Sequence, residues 1–355
     1  MSDSPIRIGI TMGDFNGVGP ELILRTFSDP RINEFFVPVI YGSGKILGYY
    51  KKMLNTDVAF FNIRNATELQ TKKTNMLNVW EEELEIKPGQ VTETAGKYAL
   101  KALDAGIADL KAGTIDALVT APLNKSTIKL NEGTFTGHTG HIAKAFGQTP
   151  LMMLLGDKLK VGLATVHIPL SDVASKITKD LINGKVKALH TSLVQDFSIN
   201  KPRIAVLGLN PHAGDAGLLG KEEVEIINPA VEQLRKEGML VYGAYPADGF
   251  FGSRQHKQFD GVLAMYHDQG LIPFKYMYFN EGVNYTAGLS VVRTSPDHGT
   301  AYGLAGKGEA DVESFQNALF KAVEIVAQRQ MNAKLRQNPL KFAPLRRENR
   351  FRVEI

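Results

Sequence analysis

The chain has no cysteine among its 355 residues. Disulfides, thiolate–zinc sites, iron–sulfur clusters and a cysteine nucleophile are therefore excluded. Any metal must be held by His, Asp, Glu or water. There is also no apolar run of about 18 residues, the length needed to cross a bilayer. The opening MSDSPIRIGITMGD lacks the apolar stretch of a secretory leader, so the expected address is the cytoplasm. Phosphate-binding fingerprints are incomplete. Gly42 and Gly44 begin a GxGxxG pattern, but Leu47 stands where its third glycine belongs, and GSGKI lacks the Ser or Thr that follows a P-loop lysine. Internal repeats, low-complexity segments and a linker rich in Pro, Gly and Ser are missing as well.

What is present suits a two-domain globular protein. Hydrophobic residues make up 43% and charged ones 22%, enough apolar material for two cores. The net charge of +4 is local. Lys334, Arg336, Lys341, Arg346, Arg347, Arg350 and Arg352 crowd the last segment against only Glu348 and Glu354. No interleaving of aromatic and basic residues accompanies them, so a solvated or interface-packed tail is expected rather than a nucleic-acid contact.

Strand-like and helix-like stretches alternate, which predicts an α/β protein with a largely parallel sheet. Residues 6–12 read as a strand leading into the glycine loop Gly13, Asp14, Asn16, Gly17, Gly19. Residues 36–48 read as a second strand and turn, and 61–90 as edge strands and loops. Small and apolar positions from 99 to 110 recur at helical spacing. A strand over 116–122 ends near Asn124 and Lys125, and a glycine-flanked turn presents His138 and Thr139, with His141 a packing residue on the following helix. Asn228 and Pro229 predict a helix start and Gly238 its stop. Asp248 is expected in a loop. Residues 283–301 are expected to form one strand ending at Arg293, followed by a loop with Asp297, His298 and Gly299. Phe315, Leu319, Ala322, Val323 and Val326 make a helical stripe suited to packing. The expected domains are 1–127 with 299–355, and 128–298, with a cleft between them.

The stretch most charged with chemistry is FDGVLAMYHDQGLIPFK, residues Phe259 to Lys275. An apolar run of strand length breaks into an expected loop carrying His267, Asp268 and Gln269. KVGLATVHIP and RIAVLGLNPHAGD repeat the pattern with His167 and His212. Ligands in open α/β sheets sit beyond the carboxyl ends of the strands, so three such histidines are candidates to converge. Three imidazoles, or two plus a carboxylate, with open positions left over suit a catalytic rather than a structural divalent ion. Lys275 and Arg293 cannot ligate a metal; they suit a carboxylate or phosphate. Each histidine taken singly also fits an ordinary structural role.

TMGDFNGVGPE, LVTAPLNK, FTGHT, NPHAGD, PADGFF, HDQGLIPFK and TSPDHGTA, in this order, resemble the motifs of the 4-hydroxythreonine-4-phosphate dehydrogenase family of pyridoxal phosphate biosynthesis, over nearly the whole chain. The resemblance implies a two-domain α/β fold like that of isocitrate and isopropylmalate dehydrogenases, not a Rossmann fold. It implies oxidation of the C3 hydroxyl of 4-phosphooxy-L-threonine by NAD or NADP, then decarboxylation to 3-amino-2-oxopropyl phosphate. By this likeness His167, His212 and His267 hold one divalent metal (Zn, Mg or Co), shared across a homodimer. His138, Thr139, Lys275, Asn284 and Arg293 bind substrate. The loop DHGTAYGLAGKG, with His298, Gly299, Thr300 and Gly306, is similar to a nicotinamide-cofactor loop. Asp248 and Lys125 are candidates for proton transfer.

Two positions depart from the family pattern. Gly140 stands where GHTE would place a glutamate, and Tyr266 stands where a second histidine often precedes DQG. Gly140 keeps open a paralogue that oxidises 4-phospho-D-threonate or D-erythronate in sugar-acid catabolism. A metal-dependent hydrolase or lyase without nucleotide is a more distant alternative. Neither nucleic acid nor a membrane is an expected partner.

Overall fold

A computed structural model describes residues 5–128 and 135–337. The first run comprises β1 (Arg7–Thr11), α1 (Gly19–Thr26), β2 (Val37–Gly42), α2 (Gly44–Leu54), β3 (Phe61–Ile63), β4 (Asn75–Asn78), α3 (Glu93–Ala112) and β5 (Ala117–Thr120). Next come α4 (His138–Phe146), β6 (Leu151–Leu155), β7 (Lys160–Leu163), α5 (Leu170–Lys176), α6 (Lys179–Gln195) and β8 (Arg203–Leu207). The chain continues with α7 (Asn228–Lys236), β9 (Leu240–Tyr245), α8 (Ala247–Gly252), β10 (Gly261–Ala264) and α9 (His267–Tyr278). The described residues close with β11 (Val283–Ala287), β12 (Val292–Pro296) and α10 (Glu313–Gln337).

All the strands join one sheet, in the order β3-β4-β2-β1-β5-β12-β11-β6-β7-β10-β8-β9. This is not the 3-2-1-4-5-6 order of a Rossmann sheet. Strands β1, β2, β5, β8 and β10 pair in parallel with their neighbours. Their near-continuous apolar runs follow from helices covering both faces. In the middle the sheet turns antiparallel: β11 runs against both β12 and β6, and β6 against β7.

Local chemistry sets several helix ends. The Thr92 hydroxyl accepts from Ala95 N at 3.2 Å to start α3, and Gly113, at φ 70°, ends it. Thr178 caps α6 in the same way. Among the described residues no helix is long and apolar enough to cross a membrane.

Four local expectations are corrected in whole or in part. The stretch 283–301 holds a two-stranded antiparallel pair, because Gly288 at φ 79° reverses the chain between β11 and β12. Arg293 therefore lies inside a strand. His267 to Lys275 is helical, not a loop, despite Pro273, because the spacing of Leu271 and Phe274 buries both against the sheet. Asn228 opens α7 as expected but does not cap it: a π-helical turn over Glu223–Ile227 runs directly into the helix, and the Asn228 side chain instead accepts from Ala244 N at 2.9 Å. Asp248 sits in the first turn of α8 rather than in a loop. The expected domain boundary between residues 127 and 128 abuts residues 129–134, which lie outside the described residues, as do the basic residues Lys341, Arg346, Arg347, Arg350 and Arg352 beyond residue 337.

A buried polar knot ties the last helix to the sheet. Asp196, 4% exposed, accepts from Ser192 Oγ at 2.6 Å, Tyr285 Oη at 2.6 Å and Arg329 Nε at 2.7 Å. Removing one partner of a buried ion pair leaves the other charge uncompensated. Asp196→Ala should cost about 3 kcal/mol or more, read as a lower urea midpoint; an unchanged midpoint would show that the knot contributes little.

Candidate active site

A cavity of about 780 Å³ opens at the centre of the sheet, where the two antiparallel strands meet the parallel ones. The end of β5, the start of α4, the start of α9 and the strands β11 and β12 wall it. Lys125, His138, Thr139, His167, His267, Lys275, Asn284, Arg293, His298 and Gly299 all line it. The fold thus gathers most of the sequence-expected site residues at one place.

Arg293 is the centre of its charge. It is 2% exposed, and its guanidinium donates to Thr120 Oγ1 at 2.6 Å, Thr286 Oγ1 at 3.1 Å and Thr139 Oγ1 at 3.4 Å. Its Nε has no partner, and among the described residues no carboxylate pairs with it. Burial alone pulls its pKa down to about 9. A buried cation bonded only to neutral hydroxyls is unstable unless something anionic completes it. Thr120 closes the strand ALVT and Thr286 lies one residue before the end of VNYTA, and no motif marks either as a partner of Arg293.

The surroundings agree with an anion site. His138 opens α4, where unpaired backbone N–H groups favour negative charge. Among the described residues its buried Nε2 has no hydrogen-bond partner, nor has Asn284 Oδ1. Gly137, at φ 92°, makes room for Lys125, whose Cε lies 2.6 Å from where a Cβ would stand. Lys275 donates to the Asp297 carbonyl at 3.0 Å and lies 3.3 Å from Asp297 Oδ2. Burial raises the Asp297 pKa, against the opposing charge of Lys275. Asp297 is the one carboxylate among the described residues lining the cavity. His141 stays outside, with its ring on Phe135 and its Nε2 2.7 Å from Asp104 Oδ1.

His167 and His267 meet on one wall, ring centroids 5.7 Å apart. Burial, and then the charges of Lys125 and His267, lower the His167 pKa, which keeps its lone pair free near neutrality. His267 Nδ1 lies 2.7 Å from Asp268 Oδ1, so Nε2 remains for a ligand. A carboxylate behind a histidine is the usual outer shell of a metal-ligating imidazole, so the pair fits a divalent ion. It is an incomplete set: among the described residues no three His, Asp or Glu side chains of one chain gather around a point. His212 does not join the other two. It is exposed, in a kinked turn over Pro211–Gly217, and does not line the cavity of its own chain. Asp248, also exposed, is likewise absent from the wall.

The loop after β12 leaves the cavity early. Thr300 and Gly306 do not line it. They pack on the first glycine loop: Val18 N donates to Thr300 O at 3.0 Å, and Tyr302 Oη donates to Asp14 Oδ2 at 2.7 Å. The fully buried Glu21 accepts from Gly306 N at 3.2 Å and Ala310 N at 2.9 Å. The glycine loop near the start therefore serves as the seat of the 298–310 loop.

Comparison with known proteins gives a consistent result. A family model described as pyridoxal phosphate biosynthetic protein PdxA matches residues 34–322. A 4-hydroxythreonine-4-phosphate dehydrogenase of Bacteroides thetaiotaomicron is 49% identical over 343 residues, covering 96% of this chain and 94% of that protein. Solved 4-hydroxythreonine-4-phosphate dehydrogenases share the architecture. The one from Klebsiella pneumoniae is 35% identical with a TM-score of 0.79, covering 91% of this chain and 100% of that chain. The one from Burkholderia phymatum is 36% identical with a TM-score of 0.75, covering 91% and 99%.

The electrostatics of His138 set a pH dependence. Burial, then the charges of Arg293, Lys125 and His141, hold its pKa well below the usual value. The unfolded chain takes up a proton near pH 6.5 that the folded site refuses, so the contribution of His138 is full above about pH 6.5 and is lost as the pH falls below it. The melting temperature of His138→Gln should accordingly fall less than that of the parent between pH 7.5 and 5.5. Equal losses would mean that His138 is protonated freely in the fold.

Proposed function

The chain belongs to the PdxA family of pyridoxal phosphate biosynthetic proteins and is an oxidoreductase; from that premise we propose that it oxidises the C3 hydroxyl of 4-phosphooxy-L-threonine with NAD or NADP, and that the resulting β-keto acid decarboxylates to 3-amino-2-oxopropyl phosphate. The observation that carries this reading is the buried Arg293, held by hydroxyls and lacking a carboxylate, on the same cavity wall as Lys275, Lys125 and two adjacent imidazoles. Such a wall suits a small polyanion.

Arg293, His138, Thr139 and Asn284 hold the anionic ends of the substrate. Lys275, oriented by Asp297, supplies a further cation near the reacting carbons. His167, His212 and His267 hold the divalent ion, Zn, Mg or Co. When bound, that ion would supply a Lewis acid for the oxidation and for the negative charge left on the substrate when CO₂ departs, and the nicotinamide would accept the hydride. His298, Gly299, Thr300 and Gly306 belong to the segment that carries the cofactor, seated by Asp14 and Glu21. Lys125 lines the cavity and is a candidate proton acceptor; Asp248 is one only if a second subunit presents it.

A homodimer completes the site. His212 and Asp248 lie exposed outside their own cavity, and α9 with its C-cap carries Ile272, Tyr276 and Phe279 at 68%, 91% and 74% exposure on one face. An apolar stripe of this kind suits an isologous interface. The cavity is then the cleft between the domains 1–127 with 299–355 and 128–298.

Gly140 supports a second reading, the 4-phospho-D-threonate or D-erythronate dehydrogenase. A side chain at 140 would meet Thr136 Oγ1 at 2.1 Å, and Asp297 is the sole described carboxylate on the wall for an ammonium group.

Absorbance at 340 nm separates the two, with 4-phosphooxy-L-threonine and 4-phospho-D-erythronate offered side by side, with and without chelator. Turnover of the amino substrate, lost on chelation, is expected; turnover of the erythronate alone would move the enzyme to the second reading. Arg293→Ala should raise KM by roughly 10- to 150-fold, the worth of a charge-assisted bond of about 1.5–3 kcal/mol. An unchanged KM would make Arg293 structural. Mixing inactive His212→Ala and His267→Ala subunits should restore part of the activity through hybrid sites. No recovery despite proven subunit exchange would count against a shared site.

A further inference from the structure

The motif HDQG gives His267 a chemical task and leaves Gln269 without one. In the structure Gln269 lies in the first turn of α9, and both ends of its amide are used. Its Oε1 accepts from Met265 N at 2.7 Å, just past β10. Its Nε2 donates to Gly208 O at 2.6 Å, just past β8. One side chain thus joins the carboxyl ends of two neighbouring parallel strands, and each of those ends leads to a histidine.

The connection extends on both sides. Met265 O accepts from Thr165 Oγ1 at 2.7 Å, two residues before His167. Beyond Gly208, the fully buried Glu223 takes Leu209 N and Asn210 N on Oε1, each at 2.7 Å, and Asn210 Nδ2 on Oε2 at 2.9 Å. The chain then runs through His212, Ala213, Gly214, Asp215 and Ala216 at φ values of 55°, 51°, 80°, 42° and 53°. Left-handed backbone is unfavourable for a non-glycine residue. A run of it persists only where its surroundings over-determine it. Gly208 is packed into that turn as well, with its missing Cβ position 3.0 Å from Ala213 and 3.1 Å from Glu223 Oε1.

We propose that Gln269 is a positioning residue for the metal site: by clamping the ends of β10 and β8 it holds both the start of α9 that bears His267 and the turn that bears His212 in place on the sheet, and so sets the affinity for a divalent ion. The proposal rests on reading His167, His212 and His267 as ligands of that ion. In a shared dimer site, His267 and His212 of one chain serve different ions, so each clamp positions a ligand for both. Outer-shell partners that orient ligands typically change metal affinity by roughly 10- to 100-fold.

The test uses the full-length protein stripped of metal. Zn²⁺ affinity is measured by competition with a chromophoric chelator, and the melting temperature of the metal-free protein is recorded alongside. Gln269→Met keeps the side-chain volume and loses both bonds; Gln269→Glu keeps the acceptor for Met265 N and loses the donor to Gly208 O. Both should bind Zn²⁺ roughly 10- to 100-fold more weakly, while His267→Ala abolishes high-affinity binding. Wild-type affinity in a folded Gln269→Met or Gln269→Glu protein, with or without a lowered melting temperature, overturns the positioning role. Failure of both variants to fold overturns it too, since Gln269 would then be a general structural residue. A parent protein that binds no Zn²⁺, or a His267→Ala variant that binds it normally, sinks the ligand reading itself, an outcome distinct from the other two.

Discussion

An uncompensated guanidinium at the middle of the sheet is the constraint around which the molecule is arranged. Arg293 is on β12, the strand that joins the parallel strands β1 to β5 to the antiparallel group in the middle of the sheet. Its hydrogen bonds reach β5, β11 and the first turn of α4 at once. Burying a cation among neutral hydroxyls is unfavourable in isolation. The surrounding core tolerates it because the strands on either side are buried and apolar along their length. An anion beside that guanidinium would offset the cost of burying it.

The remaining site groups come from segments that leave the sheet at strand ends, where backbone pairing stops and polar side chains can turn inward. Such segments have little packing of their own, so each is held by a buried or half-buried side chain acting on backbone. Asp14 and Glu21 hold the 298–310 loop. Ser314 Oγ donates to Gly282 O at 2.7 Å and accepts from Asp297 N at 3.0 Å, which fixes the partner of Lys275. Gln269 and Glu223 hold the histidine-bearing ends of β10 and β8. The motifs in the sequence therefore combine two kinds of residue: those facing the cavity and those tying the facing residues down.

Local patterns were sufficient where one physical rule dominated. The apolar runs ending at His167 and His267 are strands because a buried parallel strand needs little but apolar side chains. The helix from Glu93 to Ala112 follows from its spacing and its Thr92 and Gly113 caps. Rules in competition misled. Pro273 argues against a helix, but burial of Leu271 and Phe274 outweighs it. The run from Val283 to Arg293 looks continuous, but one glycine in the left-handed region divides it into antiparallel partners.

The amino-acid sequence by itself determined the α/β class, the absence of thiol chemistry, the family motifs and the residue types able to meet an anion and a metal, because these depend on composition and on order along the chain. Only the tertiary structure decided which of those residues meet. His167 and His267 come together because β7 and β10 are neighbours in the sheet, while His212, one strand further on, is carried away by a left-handed turn. Thr120 and Thr286 become partners of Arg293 because β12 lies between β5 and β11. Strand order depends on the packing of the entire chain, and no local stretch of sequence contains it.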